Sequence, residues 1–426
     1  GILNSNAIVE GKITYNGVNL LELTPRQLND YRWKHIAMVF QNGLERLNPL
    51  LTVREQIQEC IARHLNLKGR EADRKVSDLL EQVNLEPLVA DCFPHQLSGG
   101  MRQKVLIAMA LACDPKVLIV DEPTSSLDAI SKAEIIKLFA KLQREKGFSM
   151  IVISHDFSVI TSLSGKICVM YRGFIMEEGW TRDILRNPLH VYTRGLINSS
   201  PSINPYQDLW GIPHATSSTP EKGCAFYPRC SQSLDTCKTT RPKLEYVSLE
   251  RRVACNRGGI VTLLEARGIE KTFTFKNMKV SACKNCHIRV RAGEVVALIG
   301  QSGSGKTTLA SILSGYLDSD KGTVKFLGNE VKPQELTARP KGVQMIFQDP
   351  FSAINDRFTV EQAVMEPLDI LKLYDPQERK ERAKKALSAV ELPVDDGFLK
   401  RRCYTLSGGQ RQRVSIARSL ILEPKL

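Results

Sequence analysis

Apolar residues along this chain fall into two kinds of run. Short, nearly unbroken runs stand at 36–40 (IAMVF), 116–121 (KVLIVD), 149–154 (SMIVIS), 294–299 (EVVALI) and 343–347 (VQMIF). Their length and their lack of polar alternation predict strands, and 116–121 one covered on both faces, as in a parallel α/β sheet. Two longer stretches, about 48–95 and 355–403, mix apolar with charged residues and predict helices. Between them, 196–262 is rich in Pro, Ser and Thr and predicts a linker. The apolar run VLIAMALAC (105–113) is nine residues long, about half of a membrane span. No basic stretch leading into an apolar one opens the sequence, so no secretory signal is read.

The runs recur with their surroundings. LSGGMRQK at 97–104 returns as LSGGQRQR, and MVFQNGLERLN at 38–48 returns as MIFQDPFSAIN, at offsets of 309 and 307 residues. Two copies of one domain therefore lie in tandem. By pattern, Gly1 corresponds to Gly315, which places the first copy's phosphate loop before residue 1. The second copy's acidic strand falls beyond Leu426 by the same count. Each copy is thus expected to be a partial one, and the 426 residues alone to hydrolyse little nucleotide.

The chemistry sits at the ends of these runs. GQSGSGKTT, residues 300–308, follows EVVALI directly, and strand, glycine loop and helix in that order form a phosphate cradle. Gly300, Gln301, Ser302, Gly303, Ser304, Gly305 and Thr308 supply backbone donors. Lys306 reaches the outer phosphates, and the Thr307 hydroxyl suits Mg²⁺. KVLIVDEPTSSLD ends in paired carboxylates: Asp121 suits Mg²⁺ through water, and Glu122 suits a general base that positions water. His155, after SMIVIS, is placed to contact a γ-phosphate. Gln41 and Gln348, each ending an apolar run, are read as reaching the metal or the water. Ser98-Gly99-Gly100 and Ser407-Gly408-Gly409-Gln410 predict helix starts with exposed donors. Each is expected to close over a nucleotide held by the other copy.

These motifs resemble the ATP-binding-cassette (ABC) ATPases, and they appear in that family's order along nearly the whole chain. The resemblance implies an α/β fold with two P-loop NTPase domains. Each has a mostly parallel sheet core, an antiparallel β subdomain and a helical subdomain, and a cysteine-bearing linker joins them. By motif the boundaries are 1–195, 196–262 and 263–426. It implies ATP and Mg²⁺ as ligands, a head-to-tail pairing of the two cassettes, and Asp128 of the SSLD segment at the nucleotide. It also implies an aromatic stacked on adenine, Phe273 first and Phe275 second. PHQLSGGMRQ, with Met101 for the usual glutamine, and the tail 169–203 are similar to the ATPases of peptide and nickel importers. Val191 stands where that tail usually has proline, and NGLERLNP after Gln41 differs from the second copy's DPFSAIN.

A net charge of +13 suits polyphosphate ligands or an anionic membrane surface. No compact basic run is present, so no nucleic-acid partner is expected. The expected role is an ATP-hydrolysing subunit that energises a membrane importer of di- or oligopeptides, or of nickel. Its partners are then permease subunits and, through them, a solute-binding protein. Its place is the cytoplasmic side of the inner membrane, bound peripherally, with the helical segments as docking surface. The alternative is a soluble double cassette acting on ribosomes or nucleic acid, and a third is an Fe–S sensor on a cassette scaffold.

Eleven cysteines complete the picture. Cys60, Cys92, Cys113, Cys168 and Cys403 are scattered and read as packing or surface residues. Cys283 and Cys286 form CKNCH, which matches a haem-attachment pattern in a place with no room for haem. Cys224, Cys230, Cys237 and Cys255 have 5, 6 and 17 residues between them. Four thiolates complete a shell for Zn²⁺ or for a [4Fe–4S] cluster, and this spacing lacks the close pairs of zinc sites. The segment resembles the peptide-importer tail in which a [4Fe–4S] cluster is implied. That cluster is therefore expected ahead of zinc or unliganded thiols.

Overall fold

The computed structural model describes residues 8–40, 47–125, 127–200, 212, 215, 217–275, 278–332, 335, 342–347 and 354–426. The chain forms two compact units, 1–214 with 244–254 and 215–243 with 255–426.

In the first unit a short hairpin, β1 (Thr14–Tyr15) and β2 (Val18–Asn19), precedes helix α1 (Pro25–Tyr31). Three parallel strands follow in the spatial order β3 (Ile36–Val39), β4 (Val117–Asp121), β5 (Ser149–Ile153). Ile36 sits opposite Val117 and Val117 opposite Ser149, so all three strands start level, and Asp121 and Ile153 end opposite each other. Helices α2 (Val53–Leu65), α3 (Arg70–Gln82) and α4 (Gly99–Leu111) lie between β3 and β4 in sequence, and α5 (Ala129–Lys146) between β4 and β5. Leu118 and Val120 of β4 share one core with Ile57, Leu79, Leu80, Ile107 and Phe139. That core joins the helical lobe to the sheet, so the signature helix α4 is anchored against the acidic strand.

Helix α6 (Phe157–Leu163) leads to the antiparallel pair β6 (Lys166–Tyr171) and β7 (Phe174–Trp180), then to α7 (Thr181–Arg186) and α8 (Val191–Asn198). A second hairpin, β8 (Glu245–Ser248) and β9 (Arg251–Val253), adds to the edge of β7. The join rests on one buried ion pair. Glu177, with no exposed surface, accepts from Leu189 N and His190 N at 2.9 Å each and from Arg251 Nη2 at 2.6 Å. A carboxylate this deep is tolerated only when paired and fully bonded, so sheet, tail and returning hairpin depend on one another.

The second unit begins with the short helix α9 (Thr236–Thr239). Its sheet is wholly antiparallel, in the order β11 (Met278–Arg291), β10 (Thr262–Phe275), β12 (Lys321–Phe326), β13 (Asn329–Glu330). Helix α10 (Lys306–Leu313) buries Ile312 and Leu313 in the core of this sheet. A separate helical core gathers α11 (Val360–Ile370), α12 (Pro376–Ala389), α13 (Asp396–Leu399) and α14 (Gly408–Leu420). It repeats the arrangement of α2, α3 and α4, as the tandem motifs require. Among the described residues no helix is long and apolar enough to cross a membrane.

Two predicted strands are absent. EVVALI and VQMIF adopt no strand, and Val295, Ile299 and Ile346 stand 70%, 95% and 50% exposed. An apolar run becomes a parallel strand only beside a neighbour that satisfies its edge. The described residues of this unit offer no parallel strand. SMIVIS does form a strand, β5, which leaves Ile151 and Ile153 about half exposed, while β4 buries Leu118 and Val120.

His190 yields a pH prediction. It is 4% exposed and caps α8, its Nδ1 accepting from Tyr192 N at 3.1 Å. Burial pushes its pKa down to about 4. From roughly pH 6.5 down to that value the unfolded chain binds a proton here and the folded chain does not. Stability is therefore full above pH 6.5 and falls as the pH drops, by about 3 kcal/mol at pH 4. Urea unfolding of the native chain and of His190→Asn, which keeps an acceptor at the cap, measures this. The gap between the two is expected to shift in favour of the variant on acidification. A gap independent of pH contradicts the assignment.

Candidate nucleotide site

Glu122, Asp128, His155, Ser98, Ser407 and Lys306 each sit where a strand or loop leads into a helix. In the first unit β4 ends at Asp121, and Glu122 follows in the left-handed backbone region at φ 47°. A non-glycine residue seldom adopts that geometry without support. The support is a bond from Glu122 N to Ile153 O at 2.9 Å, which pins the turn to the end of β5. The turn aims the Glu122 carboxylate at His155: Oε1 accepts from His155 N at 3.0 Å and lies 2.8 Å from Nδ1. The carboxylate is 14% exposed and the imidazole 80% exposed. The sequence expectation placed both at one site, and the structure brings them into direct contact. Beside them opens a depression of about 400 Å³ whose wall includes His155, Asp156 and Lys132. Lys132 and Asp156 form an ion pair within it.

Asp128 plays a local role. Its Oδ1 accepts from Ile130 N and Ser131 N at 3.0 Å each, and its Oδ2 accepts from Ser131 Oγ at 2.7 Å. These bonds, the one from Ser131 N foremost, hold its carboxyl below the usual carboxylate range. It is the N-cap of α5, a role that the motif reading did not foresee. Ser98 likewise caps α4, accepting from Met101 N at 3.3 Å. Ser407 caps α14 with a full capping box, accepting from Gln410 N while Gln410 Oε1 accepts from Ser407 N at 3.1 Å. Met101 cannot return that second bond, so the first signature helix is capped from one side only. Gly408 and Gly409 face open space, whereas a Cβ on Gly100 would lie 3.3 Å from Ser131 Oγ.

In the second unit the 300–305 loop coils back on itself. Gly303 and Gly305 take φ of 78° and 89°, values that glycine alone adopts without strain. Lys306 Nζ donates to Gly300 O at 2.8 Å, Gln301 O at 2.6 Å and Ser304 Oγ at 3.2 Å. Its ammonium thus lies among the loop's own carbonyls. Gly305 is the N-cap of α10 and supplies no side-chain acceptor. Ser302 and Thr307 are exposed and Thr308 is half-buried. Phe273, 43% exposed on β10, has Lys271 Nζ 5.9 Å from its ring centre. Gln41 and Gln348 lie outside the described residues, as does the side chain of Phe275.

The four linker cysteines belong to one unit, with Cys224 and Cys237 buried and Cys230 and Cys255 half-buried. Cys224 N donates to Cys237 O at 2.8 Å, and a Cβ on Gly223 would lie 2.4 Å from Lys238 O. Burial, with smaller contributions from the other three thiols, pushes Cys230 up to about 12. Among the described residues, however, no group of three or more His, Cys, Asp or Glu side chains is arranged to hold a metal ion. The expectation of a [4Fe–4S] cluster, or of Zn²⁺, on Cys224, Cys230, Cys237 and Cys255 is thus not supported. The right number of ligands in the sequence is not convergence on one point.

The ABC transporter family model matches residues 2–125 and 283–426, and that of the oligopeptide/dipeptide transporter C-terminal region matches 176–237. The peptidoglycan transport ATP-binding protein YejF of Agrobacterium fabrum is 34% identical over 97% of this chain and 69% of its own length. The glutathione import ATP-binding protein GsiA of Escherichia coli K12 is 32% identical over 96% of this chain and 64% of its own. The chain thus spans about two thirds of the length of these relatives. A dimeric structure of MJ0796, a bacterial ABC transporter cassette, is 31% identical, covers 40% of this chain and 73% of that one, and has a TM-score of 0.37. With well over half of its residues matched by one family model, in two separate blocks, the chain belongs to the ABC transporter family, among the ATP-binding proteins that carry the oligopeptide/dipeptide transporter C-terminal region.

Proposed function

We propose that this chain binds ATP at the 300–308 loop and serves as the energising subunit of an importer for small peptides. The observation that carries the reading is the Lys306 loop. Gly303 and Gly305 sit at positive φ, the Lys306 ammonium is gathered over the loop carbonyls, and the loop opens an uncapped helix start. A polyphosphate satisfies all of these at once. It replaces the internal acceptors of Lys306 and receives the free N–H groups at the start of α10.

Phe273 lies open for an adenine ring. Mg²⁺ between the phosphates is suited to the Thr307 hydroxyl and, in the first cassette, to Asp121 through water, where it would neutralise charge developing on the phosphoryl group. Glu122 orients the attacking water and withdraws its proton once His155 releases the carboxylate. His155 then turns its imidazole to the γ-phosphate. Gln41 and Gln348 report occupancy to the helical lobes that follow them. The domain boundaries near 195 and 262 follow the same reading.

A peptide substrate is favoured by the tail at 176–237 and by relatives named for glutathione and peptidoglycan transport. Nothing found favours nickel or a ribosomal role. Permease subunits at the cytoplasmic face of the membrane have a place to dock. A groove of about 420 Å³ in the first unit is lined by Trp33, Asn48, Gln56, Cys60, Arg63 and His64.

Titration of the reduced chain with a fluorescent ATP analogue tests the loop. Lys306→Ala is expected to weaken binding at least tenfold, and equal affinity refutes the assignment. In the assembled transporter, Glu122→Gln is expected to leave ATP binding within twofold and to lower hydrolysis about 10²–10⁴-fold. Turnover near the native rate would remove Glu122 from the role of base. His155→Ala should lower turnover as well. It also frees the Glu122 carboxylate in the resting state, so the double variant should be no slower than Glu122→Gln alone.

A further inference from the structure

One pair of side chains belongs to neither the nucleotide chemistry nor the four-cysteine lobe. Cys283 and Cys286 lie on β11, three residues apart, and a regular strand would point them to opposite faces. The pairing register says otherwise. Cys283 is opposite Lys271 and Cys286 is opposite Ile269, so β11 spends three residues where β10 spends two. One extra residue is a bulge, and it restores the parity. Lys271 and Ile269 share a face of β10, so their partners Cys283 and Cys286 share a face of β11. Asn285, at φ 49°, supplies the local bend. Both thiols meet the same hydrophobic core, Cys283 at 3% exposure and Cys286 half-buried at its rim. Burial, and then the neighbouring Cys286 thiol in charge and hydrogen-bond contact, raises Cys283 above the ordinary thiol range. Both are free thiols.

The same strand is the seat of the phosphate loop. A Cβ on Gly305 would lie 2.1 Å from Ala282 O, so the loop's last glycine rests directly on the peptide that links Ala282 to Cys283. Whatever turns that peptide moves the start of α10.

We propose that Cys283 and Cys286 form a redox-active dithiol that closes to a disulfide and thereby unseats the phosphate loop. The oxidant is a low-molecular-weight disulfide, RSSR. The more exposed Cys286 sulfur attacks one sulfur of RSSR, forming Cys286–S–S–R and expelling RS⁻, which takes up the Cys286 proton. The Cys283 sulfur then attacks the Cys286 sulfur, forms the internal bond and expels the second RS⁻, which takes up the Cys283 proton. Two electrons pass from the protein dithiol to RSSR, and two RSH leave. Drawing the two sulfurs to bonding distance tightens the bulge and rotates the Ala282–Cys283 peptide beneath Gly305. Nucleotide affinity at Lys306 falls as a result. The output of this switch rests on the reading of that loop as an ATP site, while the dithiol itself does not.

The test oxidises the purified chain with excess glutathione disulfide, blocks remaining thiols, and digests without reduction. Trypsin cuts after Lys284, so the disulfide joins two separate peptides, each carrying one of the cysteines. The expected result is that linked pair, together with ATP-analogue affinity at least tenfold weaker and restored by dithiothreitol. Cys283→Val/Cys286→Val is expected to bind as the reduced native chain does and to ignore the oxidant. Cys286→Ser, which leaves the buried Cys283 in place, gives the same answer should the double variant fold poorly. Absence of the linked pair overturns the dithiol. A linked pair with affinity changed less than twofold, or equal loss in the variants, overturns the coupling. If the reduced native chain binds no ATP, the loop assignment fails and the switch with it, whichever peptides are found.

Discussion

The first amides of a helix must find acceptors, and the working parts of this protein are arranged around how each helix solves that problem. Ser98, Ser407 and Asp128 solve it internally, with a side-chain oxygen turned onto the N–H two or three residues ahead. Helix α10 does not. Its N-cap is Gly305, in the left-handed region, with no side chain to offer. Its early donors are left for a ligand, and a phosphate is the acceptor that matches their number and their field. A serine or aspartate at 305 would cap the helix, but its Cβ would collide with Ala282 O. The same glycine thus keeps the donors open and fixes the loop on its seat.

The charged groups of each unit are satisfied locally. Lys306 spends its ammonium on two carbonyls and a hydroxyl of its own loop, and Glu122 spends its carboxylate on His155. Neither arrangement buries an unpaired charge. Glu122 also keeps its left-handed backbone through the bond to Ile153 O, so the carboxylate can change partners without moving the turn that carries it.

How much of this was legible in the sequence depended on whether a feature was local. Helix starts at Ser98 and Ser407, the strands at 36–39 and 117–121, and the doubled helical lobes follow from capping chemistry and from apolar spacing. They appear where those rules put them. The strands at 294–299 and 343–347 do not, because a parallel strand is a statement about its neighbours and no run of residues contains its own neighbour. The four cysteines failed in the same way, since ligand count is written in the chain and convergence is not. The bulge between Cys283 and Cys286 was illegible for the opposite reason. Their odd spacing argues for opposite faces, and only the register against β10 reveals the added residue.

The capping serine itself shows how a structural role and a chemical one share an atom. Aspartate caps a helix as well as serine does, and Asp128 proves that this chain uses it. At the signature helices an aspartate would add a negative charge to the helix start. A serine hydroxyl accepts one bond from Met101 N or Gln410 N and still has its O–H to donate. The next two residues are glycines, so no Cβ shields the amides behind it. Gly408 and Gly409 look into open space, whereas Gly100 stands against Ser131 at the start of α5. A side chain at 100 would therefore press on the helix that Asp128 caps, and at 409 it would cost the fold little. The identical glycine pairs thus meet different surroundings: contact with the start of α5 at Gly100, and open space at Gly408 and Gly409.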